Sequence, residues 1–118
     1  MKKVRFSGKK IQIDRKTIIL DREIDDLIVI NHKIIVLLKV HITQGRDHNL
    51  ICLNDYGNIL WIAELPNRPV DLPNTSSLEL DFYWSIRASH PLSVGTFSSY
   101  NCEIDINTGK LISQEFTR

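Results

Sequence analysis

Two hairpin-like stretches restrict what this chain can fold into. The first is LICLNDYGNILWIAEL, Leu50 to Leu65. The second is YNCEIDINTGKLISQEF, Tyr100 to Phe116. Each sets two apolar runs around a turn with Asn or Asp early and Gly late. Such a turn needs a side-chain acceptor to hold its amides and a residue that takes positive φ without strain. Aligning Gly57 with Gly109 gives an offset of 52 positions. Cys52 then meets Ile104, Ile59 meets Leu111, and Leu60 meets Ile112. The chain therefore reads as an internal repeat.

β-Branched residues dominate the remainder, and helical periodicity is scarce. Residues 3 to 14 read as a hairpin turning at Ser7-Gly8-Lys9, and Thr17 to Leu20 as a short strand. Asp21 to Asp26 reads as a polar break. Leu27 to Ile30 and Lys33 to Val40 read as strands joined by Asn31-His32, because Asn tolerates positive φ. The run IIVLLKV, Ile34 to Val40, is apolar at both alternations, so that strand is expected to be covered on both faces. Thr43 to His48 reads as a loop. Leu65 to Ser77, with three prolines, reads as an extended connector. Leu78 to Ser85, Leu92 to Tyr100, Cys102 to Ile106 and Leu111 to Phe116 complete a second set of strands. Ser89-His90-Pro91 reads as a turn.

These strands predict an all-β fold in one domain, residues 1–118. It comprises two four-stranded antiparallel propeller-like blades with an extra N-terminal β-hairpin. N-terminal strands occupy 1–24, the first repeat 25–65, the connector 66–77 and the second repeat 78–118. Four-stranded meanders recurring at roughly 40 to 50 residues are the pattern of propeller blades.

Asp55-x-Gly57-x-x-Leu60-Trp61 and Asp105-x-x-Thr108-Gly109-Lys110 resemble the D-x-x-T-G-x-x-x-W hairpin of quinoprotein-like (PQQ/WD40-type) β-propeller repeats. The resemblance covers residues 25 to 117. It implies that Asp55, Gly57, Asp105, Thr108 and Gly109 shape turns. It also implies that Trp61 packs on a neighbouring blade. The counterpart of Trp61 is Ser113, where the second repeat departs from the pattern. Two blades cannot enclose a channel and no quinone-binding residue matches, so the resemblance carries over no cofactor. The short pattern recurs in small bacterial proteins.

With 15 basic and 14 acidic residues and a net charge of +1, the chain lacks the uncompensated basic surface that nucleic acid requires. The apolar runs are too short to cross a bilayer, and charges interrupt the N-terminus before a signal-length stretch forms. The expectation is a cytoplasmic protein with no membrane partner. Cys52 and Cys102 read as buried free thiols rather than a disulfide framework.

Candidate chemistry is sparse. His41, Asp47 and His48 flank one loop, and a small-ligand or metal site in the groove between the blades would use them with His90. No ligand motif of recognised spacing supports a metal there. Asp21, Glu23, Asp25 and Asp26 read as a solvated acidic loop. Ser93, Ser98, Ser99 and Cys102 sit in no nucleophile motif, so the chain reads as a non-enzyme without a cofactor. The binding signal lies in Phe82-Tyr83-Trp84. A strand puts Tyr83 opposite Phe82 and Trp84, one side core and the other a contact surface with Arg87 and His90. Tyr83, Trp84, Arg87 and His90 are thus the candidate binding residues. Two blades also leave apolar faces open. Either the N-terminal strands cover one, or copies associate. The reading is a self-associating, non-enzymatic protein-interaction module. An immunity-type protein that binds a toxin or effector is one specialisation.

Overall fold

The computed structural model describes residues 3–40, 45–66 and 80–117. The described part is all-β: eleven strands in three antiparallel sheets, formed in chain order. The first sheet holds β1 (Val4–Ser7), β2 (Lys10–Ile13) and β3 (Lys16–Ile19). The second is the meander β4 (Ile24–Ile30), β5 (Lys33–Leu38), β6 (Leu50–Leu53) and β7 (Ile59–Ile62). The third is β8 (Tyr83–Ser89), β9 (Leu92–Thr96), β10 (Tyr100–Ile104) and β11 (Leu111–Phe116). Among the described residues no helix is long and apolar enough to cross a membrane.

The N-terminal segment is therefore a three-stranded sheet, one strand more than a hairpin. The polar break is also shorter than its charges suggest. Ile24 already opens β4 and is buried, and a bulge at Asp25 lets the following acids continue the strand. The predicted strand Leu92 to Tyr100 is split, because Ser99 adopts a φ of 73° and turns the chain between β9 and β10. In the predicted strand Leu78 to Ser85, Leu78 and Glu79 lie outside the described residues, as does 67–77 of the connector. The described strand begins at Tyr83. Between Ile30 and Lys33, both Asn31 (46°) and His32 (65°) take positive φ, as a two-residue hairpin loop requires.

The sheets stack in sequence. On β5 every residue from Ile34 to Leu38 is buried, but alternate ones enter different cores. Ile34, Val36 and Leu38 meet Ile11 and Ile13 of the first sheet. Ile35 and Leu37 meet Tyr83, Val94, Cys102 and Ile104 of the third. The first sheet thus covers one face of the second, and the third sheet covers the other. First strands lie together as well, with β4 beside both β1 and β8.

Each last strand engages the turn of the following sheet. The Trp61 ring on β7 lies against Gly109, and its Nε1 donates to the Ile106 carbonyl at 2.9 Å. One layer earlier, Ile18 on β3 lies against Gly57. A Cβ at Gly109 would come within 2.6 Å of Trp61, and one at Gly57 within 2.5 Å of Ile18. Both glycines also hold positive φ, 77° and 88°. Glycine is thus required twice over at each turn.

The turns are capped by local side chains. Asn54 Oδ1 accepts from the amides of Tyr56 (2.8 Å) and Asn58 (3.0 Å). Asp105 Oδ1 accepts from Asn107 N at 2.8 Å, and Thr108 Oγ1 from Lys110 N at 3.2 Å. The cap of the first turn is Asn54, not Asp55, which instead faces His32 at 3.5 Å. The second turn is one residue longer. Leu53 pairs with Ile59 as Ile104 pairs with Leu111, so Leu53 rather than Cys52 is the equivalent of Ile104.

Replacing Trp61 by Ala is expected to cost about 3–5 kcal/mol, because it opens a cavity at the sheet junction and strands the Ile106 carbonyl. Urea melts of that variant, beside Gly109→Ala, measure it. Both should be destabilised, since they break one contact from opposite sides.

Candidate functional site

Alternation along β8 decides which aromatic rings reach solvent. Tyr83 points into the core and is fully buried, so it leaves the candidate binding set. Its hydroxyl donates to the Glu64 carbonyl. Phe82 and Trp84 lie on the opposite side, where they meet Phe97. The Phe82 and Phe97 rings stack at 5.1 Å and 23°. Trp84 stands nearly perpendicular to Phe97, at 5.8 Å and 88°, and edge-on to Phe82 at 6.4 Å. The result is an aromatic corner: a Phe pair as one wall and an indole as the other. Trp84 is 53% exposed and Phe97 43%. Backbone pairing holds it in register, Phe97 N donating to Phe82 O at 2.9 Å.

Arg87 lies on the same side of the sheet, its guanidinium occupying the place a Cβ of Gly95 would take. His90 lies elsewhere. It sits at the β8–β9 turn against Ser89 Oγ (2.8 Å), about 20 Å along the strand from Trp84. The corner therefore joins Trp84 with Phe82 and Phe97, flanked by Arg87. Phe97 was illegible in sequence, because it lies just past β9 in a segment that reads as continuous strand.

On β10 and β11 the outward pairs are polar, Asn101 with Glu115 and Glu103 with Ser113. On the second sheet, Leu50, Cys52, Trp61 and Ala63 turn toward the third sheet and lie in the shared core. Pairing register makes Asn101, Glu103, Ser113 and Glu115 their equivalents on the third sheet. Among the described residues no other sheet covers them. Ser113 stands at the position of Trp61 and is exposed where Trp61 is buried.

The interior polar groups are committed to structure. Asn49 is fully buried between the second and third sheets. Its Nδ2 donates to the carbonyls of Leu38 (2.9 Å) and Tyr83 (2.7 Å), and its Oδ1 accepts from Tyr83 N at 2.9 Å. It thereby completes backbone pairing that no strand supplies. Asp81 accepts from Ser98 N (3.2 Å) and Ser98 Oγ (2.9 Å). Asp47 accepts from the two terminal guanidinium nitrogens of Arg22, at 3.0 and 2.7 Å. It is therefore engaged and not free to ligate. His48 lines an open groove of about 290 Å³ with Arg46, Ile62, Glu64 and Leu111. His90 does not reach that groove, and His41 lies outside the described residues. Among the described residues no three His, Cys, Asp or Glu side chains form a metal cluster. The acidic residues near Asp21 do not converge either, Glu23 pairing with Lys39 at 3.4 Å.

Cys52 and Cys102 are free, buried thiols. Burial pushes each up to about 11, with Lys33 pulling Cys52 slightly back and the Tyr83 hydroxyl doing so for Cys102. Burial likewise raises the Tyr83 phenol.

The sequence matches the family described as Domain of unknown function (DUF7957) over residues 1–116, and the chain belongs to that family. No curated protein matches it.

Two outcomes follow from the interior. Asn49→Ala should cost about 2–4 kcal/mol in urea melts, because three backbone groups lose their partner in a dry site. The thiols set an alkaline limit. Their folded values lie above the unfolded ones, so their contribution is complete below about pH 9 and is lost as pH rises toward 11. Urea midpoints should fall across that window. Native protein at pH 8 should resist a thiol reagent that labels both cysteines once urea is added.

Proposed function

We propose that this chain is a non-enzymatic protein-interaction module that self-associates, its three sheets serving as blade-like repeats. One observation carries the reading: the corner of Phe82 with the exposed Trp84 and Phe97, on a sheet whose β10 and β11 turn Asn101, Glu103, Ser113 and Glu115 outward. Large aromatic side chains held rigidly by their neighbours supply contact area at low entropic cost, and with Arg they dominate interface hot spots. Arg87 stands beside them. Burying such rings against water-exposed alternatives is favourable wherever a partner brings a complementary surface.

Interior polarity supports the same reading. Asn49, Asp47 and Asp81 each have hydrogen-bond partners within the fold, which leaves the surface to carry recognition.

Light scattering coupled to size exclusion tests this. The wild type should show a mass of two or more times 13.6 kDa. Trp84→Ala should return it to a single chain while its thermal melt stays within a few degrees, since an exposed ring adds little to the fold. A wild type that stays at one chain mass at every concentration would remove self-association.

A further inference from the structure

We infer that the two end faces of the stack dock on one another between copies. The outward face of the third sheet receives the outward face of the first sheet of a second copy. This rests on the self-association proposed above and names its surface.

The stack has a direction. The second sheet offers one face to the first sheet and the other to the third. Among the described residues no sheet covers the outward face of the third sheet or that of the first. One contact between copies would therefore continue the series rather than start a new kind of packing.

The two end faces differ in charge. On the first sheet, register places Arg5, Ser7, Lys10, Gln12, Thr17 and Ile19 on the side away from the core. Arg5 and Lys10 are exposed, and they border a shallow depression of about 120 Å³ with Phe6, Ser7 and Gln12. No acidic side chain stands among those outward residues. On the third sheet the outward face carries Glu103 and Glu115 with Asn101, Ser93 and Ser113. Arg87 is its one cation among the described strand residues, and it lies over Gly95 toward the β8 side. The β10–β11 half is thus acidic, and the face opposite it in the series is basic.

Alignment of the first strands sets the orientation. Within the chain β1 lies beside β4, and β4 beside β8. Continuing that order places β1 of the second copy along β8. Its Arg5 then comes to the aromatic corner, where a guanidinium over the Trp84 indole is favourable. Lys10 lies one strand over, toward Glu103 and Glu115. Both faces are wet and charged, so the contact is weak, steered by charge and screened by salt. It is heterologous, and copies either close into a ring or keep adding.

Charge swapping tests it in the full chain. The wild type should exceed one chain mass at low salt and fall to one at 0.5 M salt. Glu103→Lys with Glu115→Lys should give a monomer at low salt, and so should Arg5→Glu with Lys10→Glu. Mixing those two proteins should restore a larger species, because each then offers the face the other lacks. An oligomer that ignores salt and both charge reversals would overturn this interface while leaving self-association standing. A wild type that is monomeric at low salt would overturn both. Unchanged melts of the exposed variants separate lost contact from lost fold.

Discussion

A strand that is apolar at every position cannot leave either of its faces in water. β5 is such a strand: Ile34, Val36 and Leu38 point one way, Ile35 and Leu37 the other, and all five are buried. β6 repeats the pattern with Leu50 and Cys52 against Ile51 and Leu53. At about 25 cal/mol per Å² of apolar surface, either face exposed would cost far more than a domain this size has in reserve. The second sheet must therefore be a middle layer. The first and third sheets are its two covers, and the chain supplies both in order on either side of it in sequence.

Middle and outer layers then need different sequences built on one plan. The capped turn, the glycine that receives a side chain from the last strand of the preceding sheet, and the bulge just after the turn, at Leu60 and Ile112, recur at Gly57 and Gly109. What changes is the side facing the next layer. Leu50, Cys52, Trp61 and Ala63 on the middle sheet become Asn101, Glu103, Ser113 and Glu115 on the last. A sheet face that no other described sheet covers is compatible with such polarity. Ser113 suits an exposed position as Trp61 suits a buried one. The polarity of these positions also makes the aromatic corner conspicuous, since Trp84 and Phe97 stand exposed on the same sheet.

What could be read from sequence follows from how local the physics is. Turn chemistry is local, so the hairpins at Asn31-His32, Gly57 and Gly109 were legible, as was the two-sided burial of β5. Counting across a loop is not local. One extra residue in the second turn shifted the repeat alignment, giving Cys52 for Leu53 and Asp55 for Asn54. The split at Ser99 was hidden because a serine in left-handed geometry carries no compositional mark. The third layer was hidden for another reason. β1 to β3 are only four residues each, and β3 carries an isoleucine on both faces, so they signal strands without saying what they cover. At the corner, alternation separated Tyr83 from Trp84. Only the register with β9 brought Phe97 to them and left His90 behind.

Packing and polarity set the interior polar groups apart from the aromatic corner. A buried polar group is tolerated where each of its atoms finds a partner. Asn49 meets that condition by standing in for a missing strand, Asp81 by holding Ser98, and Asp47 by gripping Arg22. Removing Asn49 damages the junction between the second and third sheets, and removing Asp81 or Asp47 frees Ser98 or Arg22. Trp84 is the inverse case. Its neighbours Phe82 and Phe97 fix its orientation, yet more than half of it stays in water. A side chain ordered by its surroundings but not buried by them contributes little to folding. Its ordering reduces the entropy lost when a second surface covers it. The proposed interaction surface relies on that asymmetry between cost to the fold and gain on contact, and the corner lies on the sheet whose β10 and β11 turn Asn101, Glu103, Ser113 and Glu115 outward.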